Sequence, residues 1–238
     1  MIDSDHPSIV SAVTEIVGDA VTDREKAVRI HNYVRDSVKF GFSTSYYEQK
    51  ASEVLVSKKG IGHTKATLFI ALLHACNIPA RQHFVNLNSA IIRDFLSVQS
   101  NFVDHSFVEV CLQGHWYHVD SYVVDRDFAS GAKLQLKAEG RIVGYGIHLH
   151  GTSDWDGTSD AFCQLVNDGS FPDLITRDYG VFLDVDAFYQ SGNGEMKLNF
   201  MRRIVLKVYL RLVNQAIDSF RRKHSQGKMV EKAAVIDS

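Results

Sequence analysis

Chemistry in this chain is most expected in "KKGIGHTKATLFIALLHACNIPAR" (Lys58–Arg81), where a glycine-rich turn runs into a strongly apolar helix. A helix start concentrates positive potential and free N–H groups, which lower a thiol's pKa and help to hold an oxyanion. That makes it a usual seat for a nucleophile, yet Gly62 stands where a cysteine is expected, followed by His63 and Thr64. A second constellation lies in "HSFVEVCLQGHWYHVDSYV" (His105–Val123), whose alternation on either side of Gln113-Gly114 predicts a β-hairpin. A two- or four-residue connection there pairs Leu112 with His115 and Phe107 with Asp120. One face then carries Val108, Val110, Leu112 and Val119, and the other carries His105, Phe107, Glu109, Trp116, His118 and Asp120. His105 and Asp120 become diagonal neighbours, roughly 5–8 Å apart at their side-chain bases. A carboxylate so placed orients an imidazole and stabilises its protonated form, two parts of an acid–base unit. The plainer account is a partly exposed polar sheet face, and a three-residue loop would shift the register altogether.

Other reactive side chains are less well placed. Of the three cysteines, Cys76 lies far along the same helix, roughly 21 Å from its start. Cys111 is six residues from His105, roughly 20 Å along a strand. Both read as core thiols, and Cys163, in a segment whose elements are not legible, reads as incidental. Thr64 is first a capping or packing residue, since a hydroxyl nucleophile there needs direct contact with a base. His63, held toward its neutral form by the helix start, could accept a proton or a metal, although an exposed first-turn position is the plainer expectation. His148 and His150 form a His-x-His pair compatible with zinc or copper, but no third ligand is legible. No metal or other cofactor is therefore assigned.

The elements that must position these residues follow from periodicity. "DHPSIVSAVTEIVG" and "TDREKAVRIHNYVRDSV" read as helices, the second with Ala27, Ile30, Val34 and Val38 inward and Thr22 or Asp23 as N-cap. "ASEVLVSKKG" is a short helix or turn, and the helix after Gly62 runs to about Cys76, where "NIP" stops it. "RQHFVNL" is a strand, the hairpin follows, and residues from Gly140 to Gly194 resist assignment. Met196 to Arg222 reads as a long amphipathic helix with Ile204, Val208, Leu212 and Ile217 inward. A packed helix with a solvated basic face is preferred there to a membrane-surface helix. Helices first and antiparallel strands later predict an α+β fold. With no linker or repeat, residues 1–223 form one domain and 224–238 a flexible tail.

Composition limits the partners. The 238 residues are 45% hydrophobic and 23% charged, with a formal net charge of −2. No excess of cations is available to displace phosphate counterions, so nucleic acid is not an expected partner. The longest apolar run, Ala66–Ala80, is broken by His74 and Asn77 and is too short for a bilayer. Sparse cysteines and an opening "MIDSDHPSIV" without secretory character suggest a reducing cytoplasm.

Across about Lys26 to Asp120 the chain resembles the transglutaminase-like superfamily, cysteine enzymes on a papain-like core. The resemblance begins in "EKAVRIHNYVRDSVKFG", continues through "ASEVL" and ends in "DHSFVEVCLQGHWYHVD". The family's Gly-x-Cys-x-x-Lys-Ala and Gly-Ile-Pro-Ala-Arg are matched by Gly60, Lys65, Ala66, Ile78, Pro79, Ala80 and Arg81. Asn77 replaces the second motif's glycine, and Gly62 replaces the nucleophilic cysteine. The resemblance implies His105 as catalytic histidine and Asp120 as its orienting aspartate. It also implies N-terminal helices and a central nucleophile-type helix packed on an antiparallel sheet. "DWDGT" and "FPD…YGVFLDVDAFY" loosely resemble bacterial members.

Glycine has no atom to attack a carbonyl, so the expected function is a converted enzyme. His105 and Asp120 would run proton transfer, condensation, cyclisation or elimination on a small molecule, over a cleft floor enlarged by the missing side chain. The alternatives are a non-catalytic pseudoenzyme that binds a peptide, acyl chain or protein, and a laboratory Cys-to-Gly variant of a cysteine acyltransferase or hydrolase.

Overall fold

The computed structural model describes residues 1–43, 47–194 and 208–224. Helix α1 (Pro7–Val17) precedes α2 (Asp23–Ser37), which starts at a complete capping box. The Thr22 hydroxyl accepts from the Glu25 N–H, and the Glu25 carboxylate accepts from the Thr22 N–H. Ala27, Ile30, Val34 and Val38 are all fully buried, as their spacing predicts.

Strand β1 (Lys39–Phe40) pairs in parallel with β2 (Lys59–Gly60), with helix α3 (Ala51–Ser57) between them. This clasp fixes where the chain enters α4 (Gly62–Ala75), which is buried continuously from His63 to Leu73. A helix apolar all round must be enclosed, and α4 is the central helix of the core. It ends where Asn77 adopts a φ of 59°. Asparagine is among the few residues besides glycine that tolerate this left-handed conformation, which explains why it can stand there.

After α4 come β3 (Ala80–Asn88), a 3-10 turn (Ser89–Ile91), β4 (Phe102–Leu112) and β5 (His115–Val119). Helix α5 (Arg126–Glu139), the small ribbon β6 (Val143–Gly144) and β7 (Ile147–His148), then β8 (Ile175–Phe182) and α6 (Val185–Gln190) follow. The main sheet is antiparallel in the order β5-β4-β3-β8. The hairpin has the expected register, with Leu112 opposite His115 and Val108 opposite Val119. Gln113 and Gly114 both take positive φ, 55° and 82°. That is the two-residue turn whose twist suits a hairpin.

Two expectations change. The face carrying His105, Phe107 and Glu109 is buried there, because the segment around Ala161 and Phe162 crosses it. Trp116 and His118 remain half-buried. In the helix over 208–224, α7, Leu210, Val213 and Ile217 point inward, whereas Val208 and Leu212 are each 60% exposed. At 3.6 residues per turn, Val208 and Leu212 lie on the side opposite Leu210 and Ile217. Ile204, the rest of that expected helix before 208 and the tail after 224 lie outside the described residues.

Candidate functional site

At the start of α4, Thr64 Oγ1 accepts the Ile61 N–H at 3.0 Å and donates to the Ile61 carbonyl at 3.2 Å. Thr64 is a capping residue, and its hydroxyl is committed to the backbone. Gly62 opens the helix. A Cβ added there would sit 2.9 Å from both Cε1 and Nδ1 of His105. The His105 ring therefore occupies the volume beside Gly62, and the expected enlargement of the cleft floor does not occur.

His105 is 7% exposed, and its Nε2 lies 3.8 Å from Asp120 Oδ2. That is ion-pair range but beyond a hydrogen bond, and Nε2 has no hydrogen-bond partner. Asp120 itself is fully buried and held by a row of backbone amides. The Cys163 N–H donates to Oδ1, and those of Gln164 and Leu165 donate to Oδ2 at 3.1 and 3.0 Å. Such an amide nest fixes the position of the carboxyl group independently of the histidine.

His63 is buried, which overturns the expected exposed first-turn position. Its Nδ1 lies 2.9 Å from Ser106 Oγ, which in turn accepts Gln82 Nε2 at 2.8 Å, and its ring stacks on Phe84. Burial foremost, and then the neighbouring His105, push its pKa down to about 3, with the Asp104 backbone offsetting only part of this. It is a neutral imidazole at any ordinary pH. Its burial was not legible in the sequence, because its partners come from two different strands.

None of the three cysteines belongs to the start of α4. Cys163 is buried, and burial together with the charge of Asp120 raises its pKa far above the usual thiol range. Its contribution is the backbone N–H beneath Asp120. Cys76 sits at the far end of α4, with its thiol pKa also raised by burial. Cys111 stands opposite Trp116, near the hairpin turn.

His148 and His150 do acquire a third neighbour, Asp168, with potential ligand atoms within 4.8 Å of one another. The protons are already allotted. Ser170 Oγ donates to Asp168 Oδ1, and the His150 amide donates to His148 Nδ1. His148 must then carry its proton on Nε2, facing Ser170 Oγ at 3.2 Å, while His150 Nδ1 lies 2.5 Å from Asp168 Oδ2. Coordination through His148 Nε2 would move its proton to Nδ1, against an amide N–H. The donor set is thus arranged as a closed hydrogen-bond network rather than as a ready metal site.

A half-open pocket of about 100 Å³ adjoins Gly62, His63 and His105. Its walls are mostly apolar, from Phe40 at the end of β1, Phe42 just after it, Ile61, Leu87, the stretch from Ile91 to Val98, and Val103. Gln164 and Asp104 complete it. Gln164 was not legible as a site residue, because it arrives from the segment that resisted assignment.

Residues 10–121 match the family model of the transglutaminase-like superfamily. Over that stretch, just under half of its length, the chain is similar to this superfamily. Solved structures similar to part of this chain include a candidate cysteine protease from Cytophaga hutchinsonii, 19% identical, with a TM-score of 0.40. That alignment covers 49% of this chain and 37% of the other. A candidate protease from Parabacteroides distasonis is 13% identical with a TM-score of 0.35, covering 46% of this chain and 22% of that one. The chain thus spans well under half the length of these two proteins. No curated protein matches it. No helix among the described residues is long and apolar enough to cross a membrane.

Proposed function

We propose that this transglutaminase-like protein has exchanged acyl-enzyme chemistry for acid–base chemistry on a small molecule. One observation carries the reading: an imidazole backed by a fixed buried carboxylate borders an apolar pocket at a helix start without a nucleophilic side chain. In this reading Gly62 marks the vacated nucleophile position, His105 is the proton acceptor and donor, and Asp120 is its orienting partner. A proton taken up by His105 creates an imidazolium 3.8 Å from the Asp120 carboxylate, which stabilises it. The start of α4 offers first-turn N–H groups to an oxygen that gains negative charge. His63, held neutral, adds no competing cation. Proton transfer, condensation, cyclisation and elimination all need only these parts. With all three cysteines free, a reducing cytoplasm suits the protein.

The test compares turnover of small carbonyl compounds by wild type, His105→Ala and Asp120→Asn. Losing a general base is expected to cost about 10²–10⁴ in rate. Unchanged rates in both variants end the proposal.

A second reading, a pseudoenzyme that binds a peptide, acyl chain or protein without chemistry, is favoured by the His105 ring filling the space beside Gly62. Under it, binding survives His105→Ala and Asp120→Asn and disappears only when Gly62→Leu blocks the cleft.

A further inference from the structure

The pocket beside His105 carries more information than its position. Among the described residues its lining contains no lysine or arginine, and Asp104 is the one acidic residue there. An anionic ligand would meet an acidic residue there, and none of the described lining residues is a lysine or arginine. The wall is hydrocarbon from separate elements: Phe40, Ile61, Leu87, Ile92, Leu96 and Val103. Burying aliphatic groups against such a wall is favourable by about 0.8 kcal/mol per methylene. Size sets the limit. A cavity of roughly 150 Å³ accommodates benzene, so one near 100 Å³ holds about four carbons. The polar end of such a molecule falls where the pocket meets Gly62 and His105. There the His105 side chain, more than nine-tenths buried, sets the Nδ1 and Cε1 edge of its ring against Gly62 at the helix start, while its Nε2 faces Asp120.

We infer that the ligand of this pocket is a neutral short-chain aliphatic carbonyl compound, with about four chain carbons in the pocket and its carbonyl at the Gly62–His105 end. The location of the carbonyl rests on the acid–base reading above; the chain length and neutrality rest on the pocket alone.

A homologous series of methyl ketones from acetone to 2-decanone, measured by saturation-transfer NMR competition, tests it. Affinity is expected to rise about fourfold per methylene, the equivalent of 0.8 kcal/mol, up to about 2-hexanone and then to level off. Pentanoate, of similar length but charged, is expected to bind at least tenfold more weakly than 2-hexanone. Leu96→Trp, a change in a loop, fills the pocket and removes the gain beyond acetone. Ile92→Ala enlarges it and moves the break to longer chains, an independent check should the tryptophan variant melt early. A flat series, equal binding of pentanoate, or a break that neither variant moves overturns the inference. Because these are binding measurements, the two readings fail separately. Turnover that depends on His105 alongside a flat series sinks the chain-length assignment alone. A clear break without turnover of any carbonyl compound sinks the acid–base reading and leaves the pocket's ligand class standing.

Discussion

At the scale of single residues, Gly62 and His105 are one unit. The imidazole lies where a side chain at 62 would begin, so even one methyl group must displace it. Gly62→Ala is therefore expected to destabilise the fold by about 1–3 kcal/mol through overpacking, although alanine is ordinarily the better helix residue. In a His105→Ala background most of that cost should vanish; urea unfolding of the four proteins of the cycle measures it, and simple additivity would refute the coupling. Gly62→Cys meets the same ring, and restored thiol labelling with amide or ester hydrolysis would reveal an ancestral site that still works. The His105–Asp120 neighbourhood was legible because a two-residue turn at Gln113-Gly114 leaves one register open to the hairpin. The amides that hold Asp120 were not. They belong to residues 43 to 45 positions downstream, and a backbone N–H has no residue-type signature.

At the scale of elements, the clearest case is how α2 ends against α4. The last carbonyls of a helix lack intrahelical donors. Here Lys65, fully buried in α4, sends its Nζ to the carbonyls of Val38 at 2.7 Å and Arg35 at 3.3 Å. Burial pushes the Lys65 pKa down from 10.5 to about 7, with Asp125 and Asp36 opposing. In the unfolded chain the amine keeps its proton up to about pH 10.5. Between pH 7 and 10.5 the unfolded state thus binds the extra proton, and stability rises with pH at up to about 1.4 kcal/mol per unit. That contribution is complete above the unfolded value and lost as pH falls through the folded one. Other groups titrate in the same range, so the measurement is a difference. Wild type minus Lys65→Met should gain stability from pH 7 to 9, and a flat difference would show that Lys65 stays charged when buried. The sequence marked Lys65 through its place in a motif, while its role as a cap depends on a crossing of two helices. Helix α7 shows the opposite failure. Apolar residues occur on several of its sides, so periodicity alone could not choose Leu210, Val213 and Ile217 over Val208 and Leu212.

At the scale of the whole molecule, the segment that resembles known enzymes does not complete its own site. The family match stops at residue 121, yet Asp120 depends on amides at 163–165, and β8 supplies the outer strand beside β3. Helix α7 returns to the beginning, with Asn214 bonded to the Phe42 backbone and Arg221 to Asp125. Residues 1–223 are accordingly expected to fold as one domain, and a fragment ending at residue 121 should show no cooperative thermal transition by circular dichroism. The same dense packing is expected to make the protein sensitive to acid. His31, bonded to Ser121 Oγ at 2.8 Å, joins α2 to the chain just after β5, and His63, bonded to Ser106 Oγ, joins α4 to the sheet. Burial foremost, with the Arg35 cation next for His31 and His105 next for His63, lowers both from 6.5 to about 3. Above pH 6.5 neither state holds these protons, and the histidines favour the fold in full. As pH falls from 6.5 toward 3 the unfolded chain takes up two protons that the native state refuses. Stability should then fall by up to about 2.7 kcal/mol per pH unit, twice the value for a single site. Urea midpoints from pH 7 to 4.5 measure the slope. His31→Gln and His63→Gln should each remove about half of it, since glutamine keeps a polar group of similar size without a titrating proton. A slope unchanged in the double variant would place the acid sensitivity in other groups.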